Sequence, residues 1–132
     1  MNLKIMRQLL SVFILITSLS SCGQENKSVS TVSPDQFEEL MKANSSKIIL
    51  DVRTPDEVKR GVIEGAMSID FYSSSFKDQL KELDKDQPYF VYCAGGVRSN
   101  KAAQIMAEMG FKKVYDLQGG MGAWQSAGKP ID

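Results

Sequence analysis

The sequence predicts one α/β domain, a parallel sheet of about five strands with helices on both faces. Three observations predict it. At 132 residues the chain fits a single domain. Its strand-like runs, such as Lys47–Val52 and Tyr89–Tyr92, are continuously apolar over their central residues rather than alternating, as expected of strands covered on both sides. Between them lie segments with apolar residues at helical spacing, so strand and helix alternate along the chain.

Each element has a local reason. Ser33-Pro34-Asp35-Gln36 opens a helix: Ser33 can cap it, Pro34 suits its first position, and Gln36 can complete a capping box. Phe37, Leu40 and Met41 then share one face, and Asn44 is a stop. A buried strand is expected over 47–52. A short helix over 55–60 closes at Gly61, and a short strand over 66–69 follows Gly65. Phe76, Leu80 and Leu83 are spaced for a helix over 75–83. A strand at 89–92 is followed by a helix over 99–109, with Ala102, Ile105, Met106 and Met109 facing inward and Gly110 ending it. The last strand is expected at 113–117. Gly119-Gly120 then turns into a short helix carrying Ala123 and Trp124, the latter a core residue.

The N-terminus reads as an export signal. Lys4 and Arg7 precede an apolar run from Leu9 to Leu19, well short of the roughly 20 residues of a membrane span. Leu19-Ser20-Ser21-Cys22 resembles the bacterial lipobox, in which the Cys is acylated and the chain is cut just before it. The expected organisation is a lipoprotein signal peptide over 1–21, a polar flexible tether over 22–31 and one domain over 32–132. The anchor at Cys22 implies a lipid-attached protein of the bacterial cell envelope, facing the periplasm or in the outer membrane. Gly23, where an Asp would suggest inner-membrane retention, inclines the expectation to the outer membrane.

Composition removes several chemistries. Apolar residues at 42% and charged residues at 24% are ordinary globular usage and argue against a disordered chain. Basic and acidic residues balance at 16 each, which leaves no electrostatic footprint for nucleic acid. The absence of histidine excludes Ser-His-Asp and Cys-His catalysis and two-His metal sites. Two cysteines cannot build a cysteine zinc site or a disulfide framework.

What remains converges on one strand end. In parallel sheets ligands bind at the carboxyl ends of strands. At one of them Tyr92 runs into Cys93-Ala94-Gly95-Gly96-Val97-Arg98-Ser99. Two glycines let the loop close tightly and turn its N–H groups inward. The following helix adds its positive end, and Arg98 adds a fixed cation. All three favour negative charge on the Cys93 sulfur, as expected of a reactive nucleophile rather than a small core residue.

This loop resembles the active-site loop of the rhodanese-domain sulfurtransferases, a Cys-x-x-Gly-x-Arg ring. Two further stretches are similar to that family. Asp51-Val52-Arg53-Thr54-Pro55-Asp56-Glu57 through Gly61 to Ala66 looks like its upstream motif, and Leu117-Gln118-Gly119-Gly120 through Trp124, Gly128 and Pro130 like its C-terminal signature. The resemblance spans roughly 31–131. One departure is Val62, where the family usually has His; a structural consequence is expected rather than loss of activity.

The resemblance implies a rhodanese-like sheet and covalent sulfur transfer. The Cys93 thiolate takes the outer sulfur of a donor such as thiosulfate, sulfite leaves, and cyanide or a thiol accepts the sulfur from the Cys93 persulfide. Residues 94–99 would cradle that persulfide. No metal or organic cofactor is implied, and no proton shuttle is required. Arg98 either touches the anionic donor or pairs with a carboxylate such as Glu57. Asp51 is implied to lie near the site and orient its loops. Arg53 attracts an anion or forms a structural ion pair. Ala94, where some members carry a charged residue, leaves the donor open. The implied partners are a small-molecule donor and acceptor, with no protein partner specified.

Two other classes share some features. A Cys loop ending in Arg also serves dual-specificity phosphatases and arsenate reductases. Rhodanese-like phosphatases have a loop one residue longer, however, and arsenate reduction usually needs further thiols. A persulfide carrier or binding module serving one protein partner is the non-enzymatic alternative.

Overall fold

The computed structural model describes residues 27–132, so the expected signal peptide and the first half of the tether, Cys22 included, lie outside the described residues. The elements are β1 (Val29–Val32), α1 (Pro34–Ala43), β2 (Ile48–Asp51), α2 (Pro55–Val58), β3 (Met67–Ser68), α3 (Phe76–Lys81), β4 (Pro88–Tyr92), α4 (Val97–Glu108), β5 (Lys113–Leu117) and α5 (Gly120–Ser126). Five strands form one sheet in the order β1-β5-β4-β2-β3, every pair parallel. The α/β class, the parallel sheet and its five strands are as the sequence predicts.

The tether is shorter than expected. Val29, Ser30 and Thr31 belong to β1, which runs along β5 with Val29 opposite Val114 and Val32 opposite Leu117. As an edge strand β1 buries only part of each side chain. It therefore tolerates Ser and Thr and carries no continuous apolar run. The helix after the Cys loop also starts earlier, at Val97 rather than Ser99, which places Arg98 in its first turn. β3 is reduced to two exposed residues on the opposite edge.

β4 explains why its run is apolar throughout. Tyr89 and Val91 point into one core layer with Phe76, Leu80, Ala102 and Met106, beneath α3 and α4. Phe90 and Tyr92 point into the other with Phe37, Met41, Met121 and Trp124, beneath α1 and α5. Cys93 continues the alternation and enters the α4 layer. Trp124 is buried and donates its indole N–H to the Pro130 carbonyl at 2.8 Å. The α1 capping box forms as expected, with Ser33 and Gln36 bonding each other's backbone N–H.

Candidate active site

Cys93 leaves the carboxyl end of β4 between β2 and β5, where a parallel sheet gathers its functional groups. Its side chain is only 1% exposed. Gly96 turns the loop with a φ of +101°, a conformation suited to glycine, and its N–H donates to Cys93 Sγ at 3.0 Å. The thiol donates to Ser99 Oγ at 3.4 Å, and the Ser99 hydroxyl donates to the Gly96 carbonyl at 3.2 Å. The sulfur thus lies at the start of the twelve-residue helix α4, whose amino end favours negative charge.

The loop is held from behind by α5. The N–H of Met121 donates to the Cys93 carbonyl at 2.8 Å, and that of Gly122 to the Ala94 carbonyl at 3.1 Å. This requires backbone contact at Gly120, where a Cβ would stand 2.5 Å from the Cys93 oxygen. The sequence presents Gly119-Gly120 as a tight turn. Its closer role is to let α5 dock on the Cys loop, and no local pattern discloses that.

Arg98 points to Glu57 and binds it with both arms, Nη1 to Oε2 and Nη2 to Oε1, each at 3.0 Å. Glu57 also accepts from the Thr54 N–H at 3.3 Å, in a capping box that starts α2. The bond from Arg98 holds the Glu57 carboxyl below its ordinary pKa, and Glu57 in turn holds Arg98 above its own. The guanidinium lies 5.4 Å from the Tyr72 ring centroid. Between the two expectations for Arg98, this geometry favours ring fixation through Glu57. Because Glu57 is lowered, the pair contributes at neutral pH and is lost as pH falls through the folded-state carboxyl pKa.

Asp51 and Arg53 form a second, deeper pair. Asp51 accepts the backbone N–H of Arg53 at 2.9 Å and its Nη2 at 2.6 Å. Burial opposes the charge on Arg53, but the Asp51 bond and charge outweigh it and raise the guanidinium pKa. Arg53 Nη2 also donates to the Gly61 carbonyl at 2.7 Å. Beside it the Tyr92 hydroxyl, kept protonated by burial, accepts the Ile63 N–H at 3.0 Å. Arg53 is therefore the structural ion pair of the two expectations, tying the loop after β2 to the segment around Val62. The Val62 N–H and carbonyl pair with the backbone of Asp132, both at 2.9 Å.

Two pockets flank the loop. One of about 390 Å³ is bounded by Arg53, Glu57, Arg60, Ala94 and Gln125. The other, of about 360 Å³, is bounded by Gly95, Gly96, Val97, Asn100 and Asp116. Among the described residues no group of three or more acidic or thiol side chains is placed to hold a metal ion.

The two-armed pair makes a testable demand. Arg98→Lys keeps the charge but loses the planar fork, so it should lower stability by about 1–2 kcal/mol. Thermal unfolding should then shift by several degrees. Glu57→Gln should do the same and also slow the chemistry at Cys93. An unchanged melting temperature with full turnover in Arg98→Lys would rule out the fixed fork.

Residues 33–127 match the rhodanese-like domain family. The thiosulfate sulfurtransferase GlpE of Shewanella oneidensis is 33% identical over 96 residues, covering 73% of this chain and 92% of that protein. The crystal structure of a rhodanese-related protein from Thermoplasma volcanium superposes with a TM-score of 0.68 at 29% identity, over 77% of this chain and 96% of that one. A Rhodopseudomonas palustris protein of unknown function, described as a possible tyrosine phosphatase, gives a TM-score of 0.65 at 35% identity, over 81% and 87%. Its parallel sheet, its Cys loop packed on α5 and these matches together make the chain a member of the rhodanese-like domain family.

Proposed function

We propose that this chain is a sulfurtransferase that carries sulfane sulfur on Cys93. The Cys93 thiolate attacks the outer sulfur of a donor such as thiosulfate. An S–S bond forms to Cys93, the sulfur–sulfur bond of the donor breaks, and sulfite leaves with the electron pair. Cyanide or a thiol then attacks the outer sulfur of the persulfide and restores the thiolate. The observation that carries this reading is the placement of Cys93 Sγ at the α4 amino end, 3.0 Å from the Gly96 N–H. The activities named for related proteins support it.

The likeness to a possible tyrosine phosphatase gives a second reading, in which the same loop receives a phosphate ester. The short ring from Cys93 to Arg98 favours sulfur, and so does Arg98 being engaged by Glu57 rather than free for an oxyanion. Incubation with thiosulfate followed by intact mass measurement separates them. Gain of one sulfur atom, removable by cyanide, supports transfer. Turnover of a phosphate ester through Cys93 with no mass gain would replace it. Transfer only to a protein thiol would mark a carrier.

The N-terminus completes the proposal. Cleavage before Cys22 and acylation there would attach the domain to a membrane of the bacterial envelope, facing the periplasm or in the outer membrane. A labelled fatty acid should enter the full-length protein in bacteria, and Cys22→Ser should remove it. An unlabelled soluble protein starting at another residue would overturn the anchor.

A further inference from the structure

The sulfur-transfer reading leaves open the use of the pocket of about 390 Å³ beside the Cys93 loop. The pocket starts at Ala94, the residue after the nucleophile, and lies between the α2 segment and α5. Thiosulfate, no larger than a few water molecules, would leave most of it empty. Its volume is instead that of pockets which hold small organic ligands.

The charges around it do not cancel. Arg53 is neutralised by Asp51 at 2.6 Å, and Glu57 by the two arms of Arg98 at 3.0 Å. Asp56, on the same turn as Arg60, pairs with Lys59 at 3.4 Å. Arg60 is left over. It is exposed, and among the described residues its guanidinium forms no hydrogen bond or ion pair. The Asp132 carboxyl does not pair with it either, although the Asp132 backbone bonds Val62 nearby.

The backbone that presents Arg60 is fixed. Its N–H donates to the Glu57 carbonyl at 3.1 Å, and the next carbonyl, that of Gly61, accepts Arg53 Nη2 at 2.7 Å. Because Glu57 also clamps the Cys loop through Arg98, the uncompensated cation and the nucleophile belong to one frame. The remaining wall is mixed: the Gln125 amide, which makes no side-chain bond, and the apolar Met121 and Ile131.

We propose that this pocket selects the sulfur acceptor, and that the acceptor is an organic thiol bearing a carboxylate. Arg60 receives the carboxylate on its planar fork, Gln125 bonds polar atoms of the same molecule, and Met121 and Ile131 cover its carbon chain. The thiolate of that molecule attacks the outer sulfur of the Cys93 persulfide. A new S–S bond forms on the acceptor as the S–S bond to Cys93 breaks, and the electron pair of the broken bond stays on Cys93 as a thiolate. The outer sulfur moves with its proton, the acceptor departs as a persulfide, and no oxidant or reductant is consumed. The inference deepens the sulfur-transfer reading and rests on it.

The test measures acceptor choice. Cys93 in the full chain is loaded from thiosulfate, and loss of the added sulfur is followed by intact mass. Mercaptopropionate, mercaptopropanol and mercaptopropylamine, alike in length and different in charge, serve as acceptors, with rates expressed per thiolate. Wild type should prefer mercaptopropionate over mercaptopropanol by about fivefold, the upper scale of one exposed ion pair. Added salt should shrink that preference. Arg60→Gln should bring the ratio to about one or below, and Arg60→Glu should reverse the order in favour of mercaptopropylamine. Both variants are expected to fold, since Arg60 is exposed and makes no side-chain bond. A merely structural disturbance would slow all three acceptors alike and leave the ratios unchanged. A wild-type ratio near one would overturn the acceptor class, and a preference that survives in Arg60→Gln would overturn the role of Arg60. Either result leaves sulfur transfer standing, whereas a Cys93 that takes up no sulfur from thiosulfate sinks the sulfur-transfer reading itself.

Discussion

Cys93→Ser should abolish sulfur uptake while leaving the fold in place. The change is nearly isosteric, and the Gly96 N–H that now bonds the sulfur can bond a hydroxyl instead. Stability should stay within about 1 kcal/mol of wild type, as for substitutions that create neither a cavity nor a buried unpaired group. Chemistry has no such substitute. A serine hydroxyl does not ionise near neutral pH, and no persulfide can form on it. Turnover should fall by at least about 10³-fold, the scale seen when a covalent nucleophile is removed. Intact mass after thiosulfate should rise by one sulfur atom in wild type and not in the variant. Uptake that persists in Cys93→Ser would move the nucleophile elsewhere.

The second large effect is expected at Gly120. Its φ of +59° disfavours any side chain, and an added Cβ would meet the Cys93 carbonyl oxygen at 2.5 Å and the Ala94 carbonyl carbon at 2.7 Å. Both contacts are backbone, so neither can swing aside. Left-handed strain of roughly 1–2 kcal/mol adds to overpacking of roughly 1–3 kcal/mol. Gly120→Ala should therefore lose about 2–5 kcal/mol and displace the loop that carries the sulfur. Denaturant unfolding measures the first effect, and the sulfur-uptake rate the second. A variant as stable and as active as wild type would mean that α5 can move off the loop without cost. Gly95 is the contrasting position: a Cβ there meets nothing within 4 Å, and a much smaller stability change is expected of Gly95→Ala.

The parts of this structure that could be read from sequence are those decided locally. Ser33, Pro34 and Gln36 announce the start of α1 because a capping box is a contact within one turn. The buried strands announce themselves because both faces of β4 are covered. β1 escapes because an edge strand with Ser and Thr at its centre looks like tether, and only its pairing with β5 makes it a strand. The site divides in the same way. The Cys loop, its glycines and Arg98 are contiguous and legible. The bond from Arg98 to Glu57 joins residues 41 positions apart, and resemblance rather than pattern pointed to it. Asp116 is an acidic residue between Tyr115 and Leu117 in a strand, and only the fold places it beside Thr31 and Asn100. Gly120 against Cys93 is likewise a tertiary contact, invisible to turn chemistry.

Because every strand is parallel, the chain enters β1 at the pole of the sheet opposite the one from which Cys93 emerges. Val29 therefore marks the base of the domain and the Cys93 loop its crown. About seven residues separate Cys22 from Val29, a leash of at most about 25 Å even when drawn straight. A domain of this size is about as wide as that leash is long. With Cys22 acylated, the leash is too short to carry the molecule round onto its crown. The domain would stand upright on the bilayer with Cys93 turned outward, open to solutes and soluble proteins and averted from thiols embedded in the lipid.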